Sequence, residues 1–266
     1  MRHIVRMGNA ARLKLTRRDA LWGSAAIACC VLFKIVTKSV GRAQAEPAAG
    51  RAKVCRLTPE AVEGPFYFDP RLERSDITEG KEGAPLKVTF QVVEADSCAA
   101  HKDARVDIWH SDAHGLYSGY ESQITGSATG KTFLRGHQKT DADGLARFDT
   151  IYPGWYPGRT PHIHFKVFLG TSHMVTGQLY FPDDVTETVY ATRHPYVMRE
   201  EKRDTFNGTD YIFQRQGGAE TLCNVKEEGG QYHAALVDPV IAGSAVHGRA
   251  AAGRRVHHIG YPQGRV

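Results

Sequence analysis

Between His162 and Leu169 the chain alternates: Ile163, Phe165, Val167 and Leu169 fall at every second position, with His162, His164, Lys166 and Phe168 between them. A period of two predicts a β-strand with one face on an apolar core. Successive side chains on a strand point to opposite faces, so His162 and His164 stand side by side on the face turned away from that core. Two imidazoles in that arrangement make half of a metal site. Six residues earlier, Tyr156 lies among Pro153, Gly154, Pro157 and Gly158, a turn-rich loop that can fold back over the same face. Taken singly, each feature has a plainer explanation: a hydrogen-bonded surface pair for the histidines and a packing role for the tyrosine.

The same period recurs along the chain. Leu86, Val88, Phe90 and Val92 mark a strand over 86–93, and 105–110 reads as another with Val106 and Ile108 inward. Thr140-Asp-Ala-Asp-Gly144 is a turn signal, after which 145–151 resumes as a strand. Residues 174–181 pair back on 162–169 around the turn at 170–173. Only 183–191 reads as a helix, acidic at its start and followed by Pro195. Short strands separated by turns, with no fixed repeat, predict an all-β class: a β-sandwich core with long active-site loops and few short helices.

The first 45 residues read as a leader. Thr16-Arg17-Arg18-Asp19 precedes an apolar run from Leu21 to Val36 interrupted by Lys34, and Ala43-Gln44-Ala45 supplies a small-residue cleavage signal. The arginine pair is that of a twin-arginine export signal. At about 16 residues the run is shorter than the roughly 20 a spanning helix needs, so the membrane is met only during export. The expected location is periplasmic or extracellular. Residues 1–45 carry nine Lys or Arg against Asp19 alone, so the +5 of the whole chain becomes −3 over 46–266. The basic balance belongs to the leader, which argues against a nucleic-acid partner. The working domain is then 46–241, and the Gly/Ala/Arg-rich stretch 242–266 reads as a disordered tail. Beyond the leader remain Cys55, Cys98 and Cys223; a Cys55–Cys223 bridge would clip the two ends of the domain together.

The segment from Asp107 to Tyr120 leaves a strand and enters a loop. His110 and His114 are four apart, a helical spacing, but Gly115 and the preceding strand pattern argue against a helix and against this pair as ligands. Tyr117, displayed beyond Gly115, is the better candidate. The ordered set Trp109-His-x-Asp-Ala-x-Gly-x-Tyr117, Pro153-Gly-Trp-Tyr156 and Arg159-x-x-His162-x-His164 resembles the intradiol ring-cleavage dioxygenases, in particular their exported branch. Glu63-Gly-Pro65, Phe133-Leu-Arg-Gly136 and Thr140-Asp141 add to the likeness, which covers roughly 55–182. Ser111 departs from it, standing where that branch tends to carry a cysteine; Cys98 would then lack its usual partner and be the leftover thiol.

The resemblance implies a non-haem Fe(III) held by Tyr117, Tyr156, His162 and His164, with a solvent-derived hydroxide beside them. Hard anionic phenolates suit a trivalent cation, and a bound cation holds a phenol deprotonated near neutrality. It implies further that a catechol-type diol displaces Tyr156 and is opened by O2 to a muconate-type dicarboxylate. Arg159 would stabilise charge on the activated ring, Gln178 would lie beside the substrate, and residues near Phe66, Tyr67 and Tyr120 would choose it. Two other readings compete. An exported β-sandwich binding module explains the strands but not the ordered Tyr/Tyr/Arg/His/His set. A cupin-like centre using His162 and His164 on Fe(II), Mn(II) or Cu(II) leaves both tyrosines idle.

Overall fold

The computed structural model describes Cys55, residues 58–236 and 240–242. The leader (1–45) and the tail from 243 lie outside the described residues. Nine strands, two helices and one 3₁₀ turn follow in order: β1 (Pro85–Glu94), β2 (Arg105–Trp109), β3 (Arg135–Lys139), β4 (Leu145–Ile151), β5 (His162–Leu169), β6 (Ser172–Tyr180), α1 (Asp183–Thr192), the 3₁₀ turn Tyr196–Met198, α2 (Tyr211–Arg215), β7 (Cys223–Glu228), β8 (Gln231–Leu236) and β9 (Val240–Ala242).

One sheet runs β4-β1-β8-β7, with β9 also pairing β1, and the other runs β3-β2-β5-β6. Their facing sides form the core. Leu86, Val88, Phe90 and Val92 come from β1 and Ala146 and Phe148 from β4; Val106, Ile108, Ile163, Phe165 and Val167 come from β2 and β5. The Phe90 ring lies 5.2 Å from that of Phe165 across the sandwich. The all-β expectation therefore holds, because the period-two pattern is carried by strands that each bury one face. The tight turn before β4 is built by Asp141, whose Oδ1 accepts from the backbone N–H of Asp143 and Leu145, while Gly144 takes the left-handed φ of +72°. α1 buries Thr186, Val189 and Tyr190, one helical stripe, and places Asp183 and Asp184 in its first turn.

The strands and helix read from the sequence do not include β3, β7, β8, β9 or α2. The disulfide expectation is corrected outright: Cys55 bonds Cys98, with Cα atoms 5.8 Å apart, and Cys223 is a free, buried thiol. Cys98 is thus the partner rather than the leftover. It sits in a turn closing the end of β1, where its N–H donates to Glu94 O and Glu94 N–H donates to Ala99 O. That turn brings it beside the start of the domain, whereas Cys223 begins β7 with its side chain in the core. Burial pushes the Cys223 thiol well up, so it stays protonated and inert.

Candidate metal centre

The second sheet has a polar face opposite the core. Register places Trp109 opposite both Arg135 and His164, and His164 opposite Gln178. These four form one row across β3, β2, β5 and β6, with His162 opposite Tyr180 in the adjacent row. Residues paired across strands share a face, so the alternation that put Ile163 and Phe165 into the core lines this face with chemistry. The Trp109 indole stacks on the His164 ring at 4.8 Å and 10°, fixing its plane.

Two loops bring the phenols. The loop after β2 carries Tyr117 and the loop after β4 carries Tyr156, and they touch through backbone. Gly154 N–H donates to Asp112 O at 3.0 Å, and Ser111 Oγ donates to Gly154 O at 3.0 Å. Ser111 thus serves to join the tyrosine loops. Gly115, at φ +84°, lies so close that a Cβ there would stand 2.3 Å from Trp155 O. Arg199 Nη1 spans both loops, donating to Ala113 O at 3.2 Å and Trp155 O at 2.9 Å. Gln123 brackets Tyr117, accepting from its N–H and donating to its C=O.

The result is a convergence of four donor atoms. Tyr117 Oη lies 3.5 Å from Tyr156 Oη and 3.5 Å from His162 Nε2. Tyr156 Oη lies 3.1 Å from His162 Nε2, and the two histidine Nε2 atoms are 3.1 Å apart. His162 Nδ1 faces Thr160 O at 2.7 Å and must carry the proton there, so its Nε2 offers a lone pair to its neighbours. Burial first, then the Arg159 charge, hold both histidines well below their ordinary pKa and therefore neutral. His162 Nε2 has a single lone pair with which to meet four neighbours, Tyr117 Oη, Tyr156 Oη, His164 Nε2 and Arg159 Nη1, so good hydrogen bonds cannot form throughout. A cation among them resolves the arrangement: donors bound to one metal at about 2.0–2.1 Å in a tetrahedral set lie about 3.3 Å apart. Burial by itself pushes the Tyr117 phenol well above 10 and raises that of Tyr156, so phenolates here require such a cation. Among the described residues no three His, Cys, Asp or Glu side chains cluster as a metal site, so any metal held here depends on the tyrosines.

Arg159 reaches the same point. Its Nη1 lies 3.4 Å from His162 Nε2, its Nε donates to Asp210 Oδ2 at 2.9 Å, and its Nη2 donates to Gln178 Oε1 at 2.5 Å and to Tyr180 Oη at 3.3 Å. Gln178 is on the expected face but wholly covered. Its Oε1 also accepts from Tyr180 Oη, and its Nε2 donates to Val62 O. It is a clamp on Arg159 more than a free contact for a substrate. His110 and His114 take no part: His110 is buried between Ser111 O and Thr150 Oγ1, and His114 is exposed.

The segment 63–68 roofs the centre. A Cβ on Gly64 would lie 3.3 Å from His164 Cε1; Phe66 stacks on Tyr117 at 4.7 Å; Tyr67 covers Trp109; Phe68 lies against the buried Arg135 guanidinium. Tyr120 Oη donates to Tyr67 O and secures the roof. Phe66, Tyr67 and Tyr120 therefore lie together beside Tyr117. A surface cavity of ≈ 590 Å³ bounded by Ile124, Trp155, Met198 and Arg199 touches none of the four donors. Sequence reasoning missed Tyr180 and Asp210. Asp210 carried only a helix N-cap signal, its Oδ1 accepting from the N–H of Ile212 and Phe213.

A family profile described as Dioxygenase matches residues 62–216. The fold is similar to that of an intradiol ring-cleavage dioxygenase from Tetranychus urticae, with a TM-score of 0.65 at 30% identity over 71% of this chain and 95% of that one. The chain is 29% identical over half its length to the chlorocatechol 1,2-dioxygenase of Cupriavidus pinatubonensis, covering 58% of that protein. It is 35% identical to the protocatechuate 3,4-dioxygenase beta chain of Burkholderia cepacia over 46% of this chain and 54% of that one. It thus spans little more than half the length of these curated relatives.

Proposed function

We propose, from the premise that this chain belongs to the dioxygenase family, that it cleaves a catechol-type diol between its hydroxyl-bearing carbons with O2, using Fe(III) held by Tyr117, Tyr156, His162 and His164. The supporting observation is the clustering of two phenol oxygens and two neutral imidazole nitrogens, each 3.1–3.5 Å from at least one other of the set. When bound, the ferric ion would hold both phenols as phenolates and withdraw electron density from a chelated diol, opening a ring carbon to O2. Both oxygen atoms enter the product, a muconate-type dicarboxylate, and no external reductant is consumed.

The chain's own residues do the rest. Tyr117 is fully buried and doubly bonded to Gln123, so it stays. Tyr156 is only partly buried, in an exposed Pro-Gly turn; it would be the donor that yields to the diol, its Oη taking up a proton the diol gives up. Arg159 presents a fixed guanidinium toward the ring as negative charge develops on it. Phe66 and Gly64 keep water off the histidine side. The Arg17-Arg18 leader and the Cys55–Cys98 bridge support export into an oxidising compartment by the twin-arginine route.

Purified protein loaded with ferric iron is expected to be burgundy to red and to consume O2 with one or more of catechol, hydroxyquinol, protocatechuate and substituted catechols. Tyr156→Phe and His162→Ala should lose colour or turnover. A colourless, iron-replete protein, or unchanged activity in both variants, would contradict the assignment.

A further inference from the structure

We infer that Asp210 is a positioning residue for Arg159, setting where its charge meets the reacting ring; this rests on the function proposed above. The Asp210 carboxylate is wholly buried. Its Oδ2 accepts from Arg159 Nε at 2.9 Å and from Thr160 N–H at 2.8 Å. Its Oδ1 accepts from Ile212 N–H at 2.7 Å and Phe213 N–H at 3.0 Å. One oxygen therefore holds the segment that leads into His162, and the other holds the first turn of α2.

The linkage closes on itself. Beyond the other end of α2, Gln216 Oε1 accepts from Val62 N–H at 2.7 Å. Val62 O accepts from Gln178 Nε2 at 2.8 Å, and Gln178 Oε1 accepts from Arg159 Nη2 at 2.5 Å. Arg159, Asp210, α2, Gln216, Val62 and Gln178 thus form one ring of contacts, in which Asp210 supplies the carboxylate. Arg159 has other partners in Gln178 and Tyr180, but both are neutral. Without Asp210 the guanidinium keeps its attachment at Nη2 and loses the bond at Nε that fixes its plane. A charge displaced by about 1 Å from a developing anion loses transition-state stabilisation while leaving substrate binding nearly intact. Asp210 touches none of the four donor atoms; it reaches the site through Arg159 and, by Thr160 N–H, through the backbone before His162, and an unchanged iron content and visible band separate the first route from the second.

The test uses the full-length, iron-loaded protein and four variants: Asp210→Asn, Asp210→Ser, Arg159→Ala and the double Asp210→Ser/Arg159→Ala. Asn and Ser cap a helix about as well as Asp, so α2 keeps its first turn while the carboxylate is removed. The iron content and the visible band should match wild type. For the diol that wild type turns over best, kcat should fall about 100-fold in Asp210→Ser, with KM moving less than about threefold. The double variant should be no slower than Arg159→Ala to within about twofold, because the two residues act as one unit. Losses that multiply in the double variant, or an Asp210→Ser enzyme within about threefold of wild type, overturn the inference. If Arg159→Ala itself turns over like wild type, or wild type shows no turnover, the parent reading has failed instead. The Nε–H resonance of Arg159 then decides for Asp210: slow exchange in wild type that is lost in Asp210→Ser supports the positioning role, and slow exchange retained in Asp210→Ser overturns it.

Discussion

Removing the Cys55–Cys98 bridge gives the largest single stability change that can be worked from this fold. The cysteines are 43 residues apart, and closing a loop of that length removes unfolded-chain entropy worth about 4 kcal/mol at 25 °C. For a domain of this size each 1 kcal/mol moves the midpoint by roughly 2–4 °C, so the full effect is a fall of about 8–16 °C. Residual structure in the reduced unfolded chain would trim this, leaving about half as the least expected. The closed loop also contains Val62, Gly64 and Phe66, which pack on Gln178, His164 and Tyr117 respectively. Reduction should therefore speed loss of iron to a chelator at temperatures where the fold persists. Circular dichroism melts of wild type with and without dithiothreitol, and of Cys98→Ser, measure the shift. Cys98 takes a φ of 56°, and Ser there carries the same backbone strain, so the comparison isolates the bond. Cys223→Ser serves as the control that should leave the bridge intact. A fall of less than about 2 °C on reduction, with both thiols shown free by mass spectrometry, would refute the entropic reasoning.

Acid should destabilise the fold through His110. Burial holds its pKa down at about 4 against the ordinary 6.5, so between these values the unfolded chain takes a proton the folded chain refuses. Stability is therefore full above about pH 6.5 and falls toward pH 4 by about 3 kcal/mol from this residue. Urea midpoints at pH 7 and 4.5 should show a smaller drop in His110→Gln than in wild type. In Gly115→Ala, the new Cβ meets Trp155 O at 2.3 Å and Tyr156 Cβ at 3.2 Å at a φ of +84°. Left-handed backbone strain of about 1–2 kcal/mol and overpacking of about 1–3 kcal/mol fall on the contact between the tyrosine loops. The variant is expected to fold with a lower melting midpoint and to bind iron less well, as read by metal content and the visible band.

How far the sequence discloses this molecule depends on where each element draws its stability. β5 was legible because Ile163, Phe165 and Val167 bury one face while the other carries the histidines. β3 was not, since Arg135-Gly-His-Gln-Lys139 has no apolar series. It is a strand because β2 pairs with it and because Arg74 reaches in to bond Arg135 O. β8 did carry a readable alternation in Tyr232, Ala234 and Leu236, but its parallel pairing with β1 is a contact across more than 140 residues that no local pattern reveals. The disulfide failed for a related reason. Which of three cysteines pair depends on Cα separation, and only the turn at 94–99 brings Cys98 beside Cys55.

The candidate centre divides the same way, and the division bears on how it would work. His162 and His164 are fixed by strand register, where a slip of one residue would send both to the wrong face. They are legible for that reason and, for the same reason, rigid. Tyr117 and Tyr156 come from loops, and their order along the chain was readable while their mobility was not. The structure separates the two. Tyr117 lies beneath Phe66, bracketed at its backbone by Gln123 and wholly enclosed. Tyr156 sits partly exposed before Pro157 and Gly158, and the short turn it opens is closed by the 3.3 Å bond from Arg159 N–H to Tyr156 O and held from outside by long bonds of 3.2 and 3.3 Å from Gly158 N–H to the Asp204 carboxylate. A centre that exchanges a protein ligand for a diol needs one phenol free to move and three donors that hold position. The sheet supplies two of the fixed donors, the roof supplies the third, and the Pro-Gly turn leaves Tyr156 as the one able to go. Arg159 follows Tyr156 in that same turn, so on the proposed function a side chain that would stay in place shares a backbone with one that would leave. Its anchorage to Asp210 and Gln178 on separate elements lets the turn move without carrying the guanidinium away.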